Sequence, residues 1–239
     1  MATILVIGDA FHDVFLTGTV ERLSPEAPVP VLLNPEPDTR DGGAANVARH
    51  LEALGHSVTL MALCPWPTKT RYLDDSGHHL LRVDLEPGYR QQEQEAHWER
   101  IRQLPPFDAV VVSDYHKGSV GDPPYPAARI RTADAKREFW RFEDFTLVQA
   151  NRHAIHGTQP ILPNMVVTLG ADGCNYGGKH YAGYPVACMA DVTGAGDTFL
   201  AWMTDGVLRG LPIADILARA NHAASRAVQR RGTVVIGDL

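Results

Sequence analysis

The apolar positions of the chain fall into short runs that end in glycine or in carboxylates. Thr3 to Ile7 is a β-rich run closed by Gly8 and followed by Asp9 and Asp13, which predicts a buried strand with carboxylates at its carboxyl end. Phe15 to Val20 and Val29 to Leu33 alternate as extended pieces around the proline-bearing stretch Leu23 to Pro30, whose proline density excludes a helix interior and suits edge strands. After Gly42-Gly43, the residues Ala44, Val47, Ala48, Leu51 and Leu54 repeat at helical spacing, with Gly55 as the cap. Val58 to Leu63 reads as the next strand. Thr70 to Leu73 and Leu80 to Leu85 flank the turn-forming Asp74-Asp75-Ser76-Gly77 and predict a hairpin. Gln91 to Leu104 reads as a polar helix, and Ala109 to Val112 and Val166 to Leu169 as fully apolar strands. Gly194 to Leu208 and Ile213 to Val228 read as helices, and Thr233 to Ile236 is strand-like. Strands alternating with helices predict an α/β layered fold with a mostly parallel sheet. The expected organisation is a single domain over 1–239, with the hairpin segments 15–33 and 70–86 forming a small β lid.

Composition narrows the class. With 239 residues, 44% hydrophobic and 21% charged, the chain has the profile of one compact domain and not of a disordered, collagenous or coiled-coil protein. No apolar stretch approaches the ~20 residues that cross a bilayer, and the start lacks the basic flank and cleavage site of a signal peptide, so a cytoplasmic protein is expected. A net charge of -6 argues against nucleic acid as a partner; Arg226, Arg230 and Arg231 read as a solvated helix face. Cys64, Cys174 and Cys188 contain no Cys-x-x-Cys pair and read as buried thiols. His78-His79 and His153-x-x-His156 have no third ligand at a recognisable spacing, so histidine metal binding is not expected. Phe139, Trp140, Phe142 and Phe145, interleaved with acids, read as packing and not as a stacking platform.

The chemistry centres on Asp191-Val-Thr-Gly-Ala-Gly-Asp-Thr-Phe199, a glycine-rich turn running directly into an apolar helix. Without side chains at Gly194 and Gly196, the first-turn amides can approach an anion closely, and the helix N-terminus contributes about half a positive charge. A carboxylate at Asp197 cannot bind that anion. Its natural task is to accept the proton of a hydroxyl that attacks it.

This string resembles the C-terminal signature of the ribokinase, or PfkB, carbohydrate kinase family, and GGAANVA at 42–48 resembles that family's N-terminal glycine motif. GDAFHD at 8–13, LSPEAPVPV at 23–31, TKTRY at 68–72, HHLLRVDLE at 78–86, SDYHKG at 113–118, NRH at 151–153, VTLGADG at 167–173 and ANHAA at 220–224 are similar to the kinase domain of the heptose 7-phosphate kinase group. The resemblance covers nearly the whole chain and implies a ribokinase-like three-layer α/β/α fold, with ATP and Mg²⁺ bound at the carboxyl edge of the sheet. It also implies a sugar or sugar phosphate as acceptor, in the heptose group at the anomeric hydroxyl of heptose 7-phosphate, and a homodimer paired through the lid. Asp197 would be the base, with the amides of Gly194, Ala195 and Gly196 holding the transferring phosphoryl group. Asp13, Gly42, Gly43 and Asn46 would meet the sugar, and Asn151, Thr168, Gly170, Gly173 and Asn221 the nucleotide. Arg82 and Lys117 are candidates for a sugar-borne phosphate and read equally well as surface ion pairs.

Two departures stand out. The family's Asn-x-x-Glu is Asn151-Arg152-His153-Ala154 here, which removes an oxygen donor from a hard-cation region; Asp134 or Asp114 are the substitutes at hand, and the metal ligands stay unassigned. The chain is also shorter than the family pattern after the strand at 58–63 and between His153 and Val166, which predicts a sheet face left bare or covered by a partner subunit. These departures leave open a catalytically impaired relative that binds a sugar phosphate or nucleotide. No fused adenylyltransferase domain is expected after Thr233 to Ile236.

Overall fold

The computed structural model describes residues 1–122, 124–155 and 161–239. Two sheets carry it. The larger has eight strands in the order β12-β11-β10-β9-β8-β7-β1-β4, and the smaller has four in the order β3-β2-β5-β6. In the larger sheet, β1 (Thr3–Gly8), β4 (Ser57–Met61), β7 (Phe107–Asp114), β8 (Ala128–Ala135), β9 (Leu147–Asn151) and β10 (Met165–Thr168) run parallel, and the hairpin β11 (Gly173–Tyr176) and β12 (Lys179–Ala182) closes one edge antiparallel. Register places Gly8 beside Ser113, Ser113 beside Asp134, Asp134 beside Gln149, and Asn151 beside Thr168, so polar residues gather along the carboxyl edge.

One sheet face is covered by α1 (Ala44–Ala53), α3 (Ala195–Leu208) and α4 (Ile213–Ala227), which bury Val47, Leu51, Leu200, Trp202, Met203 and Leu217 against Ile4, Val6, Ala109 and Val111. The opposite face has a single long helix, α2 (Gln91–Arg102), yet it is not bare. Val120, Tyr125, Phe139, Phe142 and Phe145 from irregular segments bury Leu5, Ile7, Val110, Val112 and Val148. Side-chain plugs therefore replace the missing helices, which corrects the expectation of an uncovered face. The uncovered stretch is on edge strand β4, where Ser57 and Thr59 are exposed and polar. Within the aromatic cluster, Trp140 is the exposed exception.

The smaller sheet is built from β2 (Ala10–Leu23), β3 (Pro30–Gly43), β5 (Thr68–Asp74) and β6 (His79–Leu85). β2 and β3 are much longer than the sequence pattern suggests, and β2 pairs parallel with β5, so both hairpins belong to one sheet. In-register residues share a face. Arg40, Asp13, Lys69 and Asp84 form one row across the four strands, and Asp38, Phe15, Arg71 and Arg82 the next, on the face that looks toward the larger sheet's carboxyl edge. The other face carries Val14, Leu16, Tyr72, Leu81 and Leu85. Leu81 is 57% and Leu85 63% exposed.

Several local expectations are corrected. Thr233 to Ile236 forms no strand; Ile236 instead packs on the core, its amide donating to His50 Nδ1 and its carbonyl accepting from Trp202 Nε1. Cys64 and Cys188 are exposed, and of the three thiols Cys174 alone is buried. Arg230 and Arg231 follow α4 instead of lying on it. The His156 half of the His153-x-x-His156 pair lies outside the described residues. Among the described residues, no helix is long and apolar enough to cross a membrane.

Candidate active site

The site grows from the turn before α3. Asp191 accepts from the backbone and hydroxyl of Thr193 at 2.9 and 2.7 Å and from the amide of Gly232 at 2.9 Å, which folds the turn back on itself. Gly194 then takes φ 77°, a conformation that favours glycine, and the helix starts at Ala195. A side chain at Gly194 would stand 2.8 Å from Asn46 Nδ2. The amide of Ala195 is used within the turn, donating to Val192 O at 3.3 Å, so the expected anion donors shift by a position toward Gly196 and Asp197 in the first helical turn.

Asp197 is 2% exposed. Its Oδ2 accepts from Asn46 Nδ2 at 3.1 Å and its Oδ1 from the Tyr115 hydroxyl at 2.9 Å. Burial pushes its pKa up to about 6, and repulsion from Asp134 adds to this, while the two hydrogen bonds and Lys136 hold it down. A carboxyl poised there is largely ionised at neutral pH and still basic enough to take a hydroxyl proton. Tyr115 is held in turn by Asp9, whose carboxylate accepts the amides of Tyr115, Lys117 and Ser119 at 2.9, 3.0 and 3.0 Å.

Beside this pair lie Asp13 and Gly42. Asp13 is fully buried and ion-paired to Arg71 through Oδ1 at 2.5 Å, and a side chain at Gly42 would stand 2.7 Å from its Oδ2. Asp13 Oδ2 and Asn46 Oδ1 are both buried and lack a hydrogen-bond partner. Two unsatisfied acceptors beside a buried carboxylate call for donors from a ligand.

Under Gly196, the ends of β8 and β9 contribute Asp134 and Gln149. Gln149 Nε2 donates to Gly196 O at 3.2 Å, and Lys136 Nζ is 2.6 Å from Asp134 Oδ2. Asp134 Oδ1 and Gln149 Oε1 remain buried and unpartnered. One carboxylate and one carboxamide oxygen suit a hard cation such as Mg²⁺, which keeps several waters and shares its remaining positions with phosphate oxygens. Among the described residues, no group of three or more His, Cys, Asp or Glu is placed to hold a metal ion by itself.

The other residues anticipated from the sequence divide. Thr168 ends β10 next to Asn151, whose side chain caps the following turn by accepting from His153 N at 2.9 Å. Gly170, at φ 68°, faces open space. Gly173 instead packs against the backbone of Tyr181 to Gly183 and closes the β11–β12 hairpin. Asn221 is buried, donating to the carbonyls of Tyr181 and Ala182 at 3.4 and 3.3 Å, and pins α4 to that hairpin. Lys117 pairs with Glu86 at 2.6 Å and Arg82 with Asp84 at 2.6 Å. Tyr115, Gln149, Lys69 and Lys136 are not singled out by the sequence, although Tyr115 and Lys69 lie inside the SDYHKG and TKTRY strings; Asp9 is read there only as a strand-end carboxylate.

Residues 136–236, which include the turn, Asp197 and the Asn221 helix, match the pfkB family of carbohydrate kinases. The chain carries a PfkB carbohydrate kinase domain. Bifunctional protein HldE of Hyphomonas neptunium is 30% identical over 298 aligned positions, covering 98% of this chain and 61% of the relative, so the chain spans about three-fifths of the curated proteins it matches. Because 298 positions are needed to align 239 residues, the relative carries segments this PfkB domain lacks. Ribokinase from Thermotoga maritima superimposes with TM-score 0.69 at 16% identity, covering 98% of this chain and 95% of that one. The tetrameric inhibited form of phosphofructokinase-2 from Escherichia coli gives 0.67 at 16%, covering 95% and 94%. The PfkB domain thus has the ribokinase-like α/β/α fold, and ATP is the co-substrate its family implies.

Proposed function

We propose that this PfkB domain is an ATP-dependent sugar kinase that phosphorylates a sugar or sugar-phosphate hydroxyl, with heptose 7-phosphate at its anomeric position as the acceptor. The pair of buried, unsatisfied acceptors, Asp13 Oδ2 and Asn46 Oδ1, next to Asp197 carries this reading, because sugar hydroxyls supply the missing donors. Asp197 takes the proton of the attacking hydroxyl as that oxygen forms its bond to the γ-phosphorus, and the bond to ADP breaks. Asn46 and Tyr115 keep the carboxylate oriented, and the first-turn amides of α3 neutralise the phosphoryl oxygens. Mg²⁺ would be held by Asp134 and Gln149 together with the nucleotide phosphates, and supplies charge neutralisation there.

The four-stranded sheet is read as a lid that excludes competing water and pairs two copies of the chain. Its apolar outer face, including the exposed Leu81 and Leu85, favours a second copy as the cover. Ala154, in place of the family's glutamate, favours the alternative of an impaired, sugar-phosphate- or nucleotide-binding relative; the oxygens of Asp134 and Gln149 weigh against it. The test is ADP release from ATP and Mg²⁺ with a panel of sugars and sugar phosphates. The native chain is expected to turn over a heptose 7-phosphate, and Asp197→Asn to lose about 10³-fold. Binding without turnover by the native chain would decide for the impaired relative.

A further inference from the structure

Two residues of α1, one turn apart, meet two consecutive residues of α3. Asn46 Nδ2 holds Asp197 Oδ2 at 3.1 Å, and His50 Nε2 lies 2.9 Å from Thr198 Oγ1. The first contact orients the carboxylate; the second has no part in the chemistry described so far. His50 and Thr198 are both fully buried. The direction of their hydrogen bond follows from Ile236, whose amide can only donate and reaches His50 Nδ1 at 3.2 Å. The Ile236 carbonyl is farther from Nδ1, at 3.4 Å, and is filled by Trp202 Nε1 at 3.0 Å, so Nδ1 is left to accept. Burial lowers the His50 pKa to about 4, which keeps the ring neutral at pH 7, and a neutral imidazole that accepts at Nδ1 carries its proton on Nε2. Nε2 therefore donates to Thr198 Oγ1, and the threonine proton is turned to Gly194 O at 2.9 Å.

Gly194 O belongs to the peptide that opens α3, and it also accepts the amide of Thr198 at 2.9 Å. Fixing that carbonyl fixes the plane of the Gly194–Ala195 peptide, and with it the direction of the Gly196 and Asp197 amides that follow. We propose that His50 is a positioning residue for phosphoryl transfer: through Thr198 it sets the peptide plane at the entrance to α3, and the Ile236 amide sets the ring tautomer that this requires. This rests on the kinase reading above and adds to it a link between the segment at Ile236 and the catalytic turn. The same helix supplies a matched contrast. Thr204 is equally buried, donates to the carbonyl four residues earlier, Leu200 O, at 2.8 Å, and pairs with Thr132 Oγ1 at 2.7 Å. It stands about two helical turns beyond Asp197, so the same kind of hydroxyl there serves the packing alone.

The test sets His50→Leu, His50→Gln, Thr198→Val and Thr204→Val beside the native chain, with ATP, Mg²⁺ and heptose 7-phosphate, each checked for a native melting transition. Thr198→Val and His50→Leu should lower kcat by about 30-fold with both KM values within about twofold, because the loss is one of geometry at the reacting atoms. His50→Gln, which keeps an amide donor for Thr198, should recover to within about threefold of the native kcat. Thr204→Val should melt as early as Thr198→Val and keep the native kcat. The double variant His50→Leu with Thr198→Val should lose no more than the worse single one, as two parts of one chain of bonds do. Imidazole nitrogen shifts of the native chain should report a proton on Nε2. An unchanged kcat in Thr198→Val, an equal loss in Thr204→Val, additive losses in the double variant, or a proton on Nδ1 overturns the inference and leaves the kinase reading intact. Should His50→Leu fail to fold, Thr198→Val and His50→Gln carry the same decision. Absence of turnover by the native chain overturns the kinase reading instead; amide exchange at Gly196 and Asp197, expected to quicken about tenfold in Thr198→Val and not in Thr204→Val, then decides whether His50 and Thr198 fix that turn.

Discussion

The two sheets use the same strand geometry for opposite ends. In the larger sheet both faces are apolar and closed over, so that Ile4, Leu5, Val6, Ile7, Val110, Val111 and Val112 are fully buried. In the smaller sheet the polarity is inverted: charges point toward the rest of the molecule and leucines toward solvent. A sheet that buries Asp13 on one face and leaves Leu81 and Leu85 exposed on the other is not organised for the stability of its own chain. The comparison separates a scaffold, whose substitutions act on folding, from an appendage whose exposed leucines contribute little to it.

The largest expected contrast comes from matched truncations. Trp202→Ala, in the scaffold core, should cost about 3–5 kcal/mol in denaturant unfolding, and Leu85→Ala under about 0.5 kcal/mol. A comparable loss from both would erase the distinction.

A contrast nearly as large should appear with pH. His50, buried and bonded to Thr198 Oγ1 at 2.9 Å, has its pKa lowered to about 4 by burial. The unfolded chain therefore takes this proton first, and stability falls as pH drops from 6.5 toward 4, by up to about 3 kcal/mol. Asp197 works the other way. Its pKa, raised to about 6, means that the folded chain takes the proton first, so the ionised carboxylate lowers stability as pH rises from 3.8 through 6. Asp197→Asn should thus be more stable than the native chain at pH 7 by about 1–3 kcal/mol and lose stability more steeply on acidification. Unfolding curves between pH 4 and 7 check both signs.

The strand runs and the glycine-rich turn were legible because each is local: four or five apolar residues, then a residue that only a turn accommodates. β8 and β9 were not. Ala128 to Ala135 carries Arg129, Arg131 and Asp134, and its central place in the sheet depends on neighbours distant in sequence that bury Thr132 and Asp134. At the site, residue types marked the turn and its carboxylate, whereas pairing is a tertiary property. Lys117 and Lys69 are both lysines in motif-like strings, and what separates them is tertiary: Lys117 pairs with Glu86, whereas Lys69 lies over the Phe11 ring in register between Asp13 and Asp84. Tyr115 was hidden in a similar way, since its link to Asp197 spans 82 positions.

Ala154 gives a smaller test, on the scaffold's carboxyl edge. Ala154→Glu supplies the oxygen donor of the Asn-x-x-Glu pattern just beyond β9 and should tighten Mn²⁺ binding, read by electron paramagnetic resonance, by about tenfold. No change would mean that the two existing oxygens do not lie at the cation position. Smallest in folding energy, Leu81→Lys with Leu85→Lys should shift stability by under about 0.5 kcal/mol while converting the proposed dimer to a monomer in light scattering. A mass unaltered by the substitutions would overturn pairing through this face.

The way the small sheet is rooted limits how it can move. The chain passes from β1 to β2 through one residue, Asp9, and from β3 into α1 with no connecting residue at all. Asp9 is fixed by the three amides it accepts, and its own carbonyl takes the amide of Ala44 at 3.0 Å. There is no slack at that junction for a swinging gate. Any displacement would have to arise farther out, where the β2–β3 register slips between Thr17 and Thr19, which makes the sheet a cantilever whose root is fixed beside Asp197.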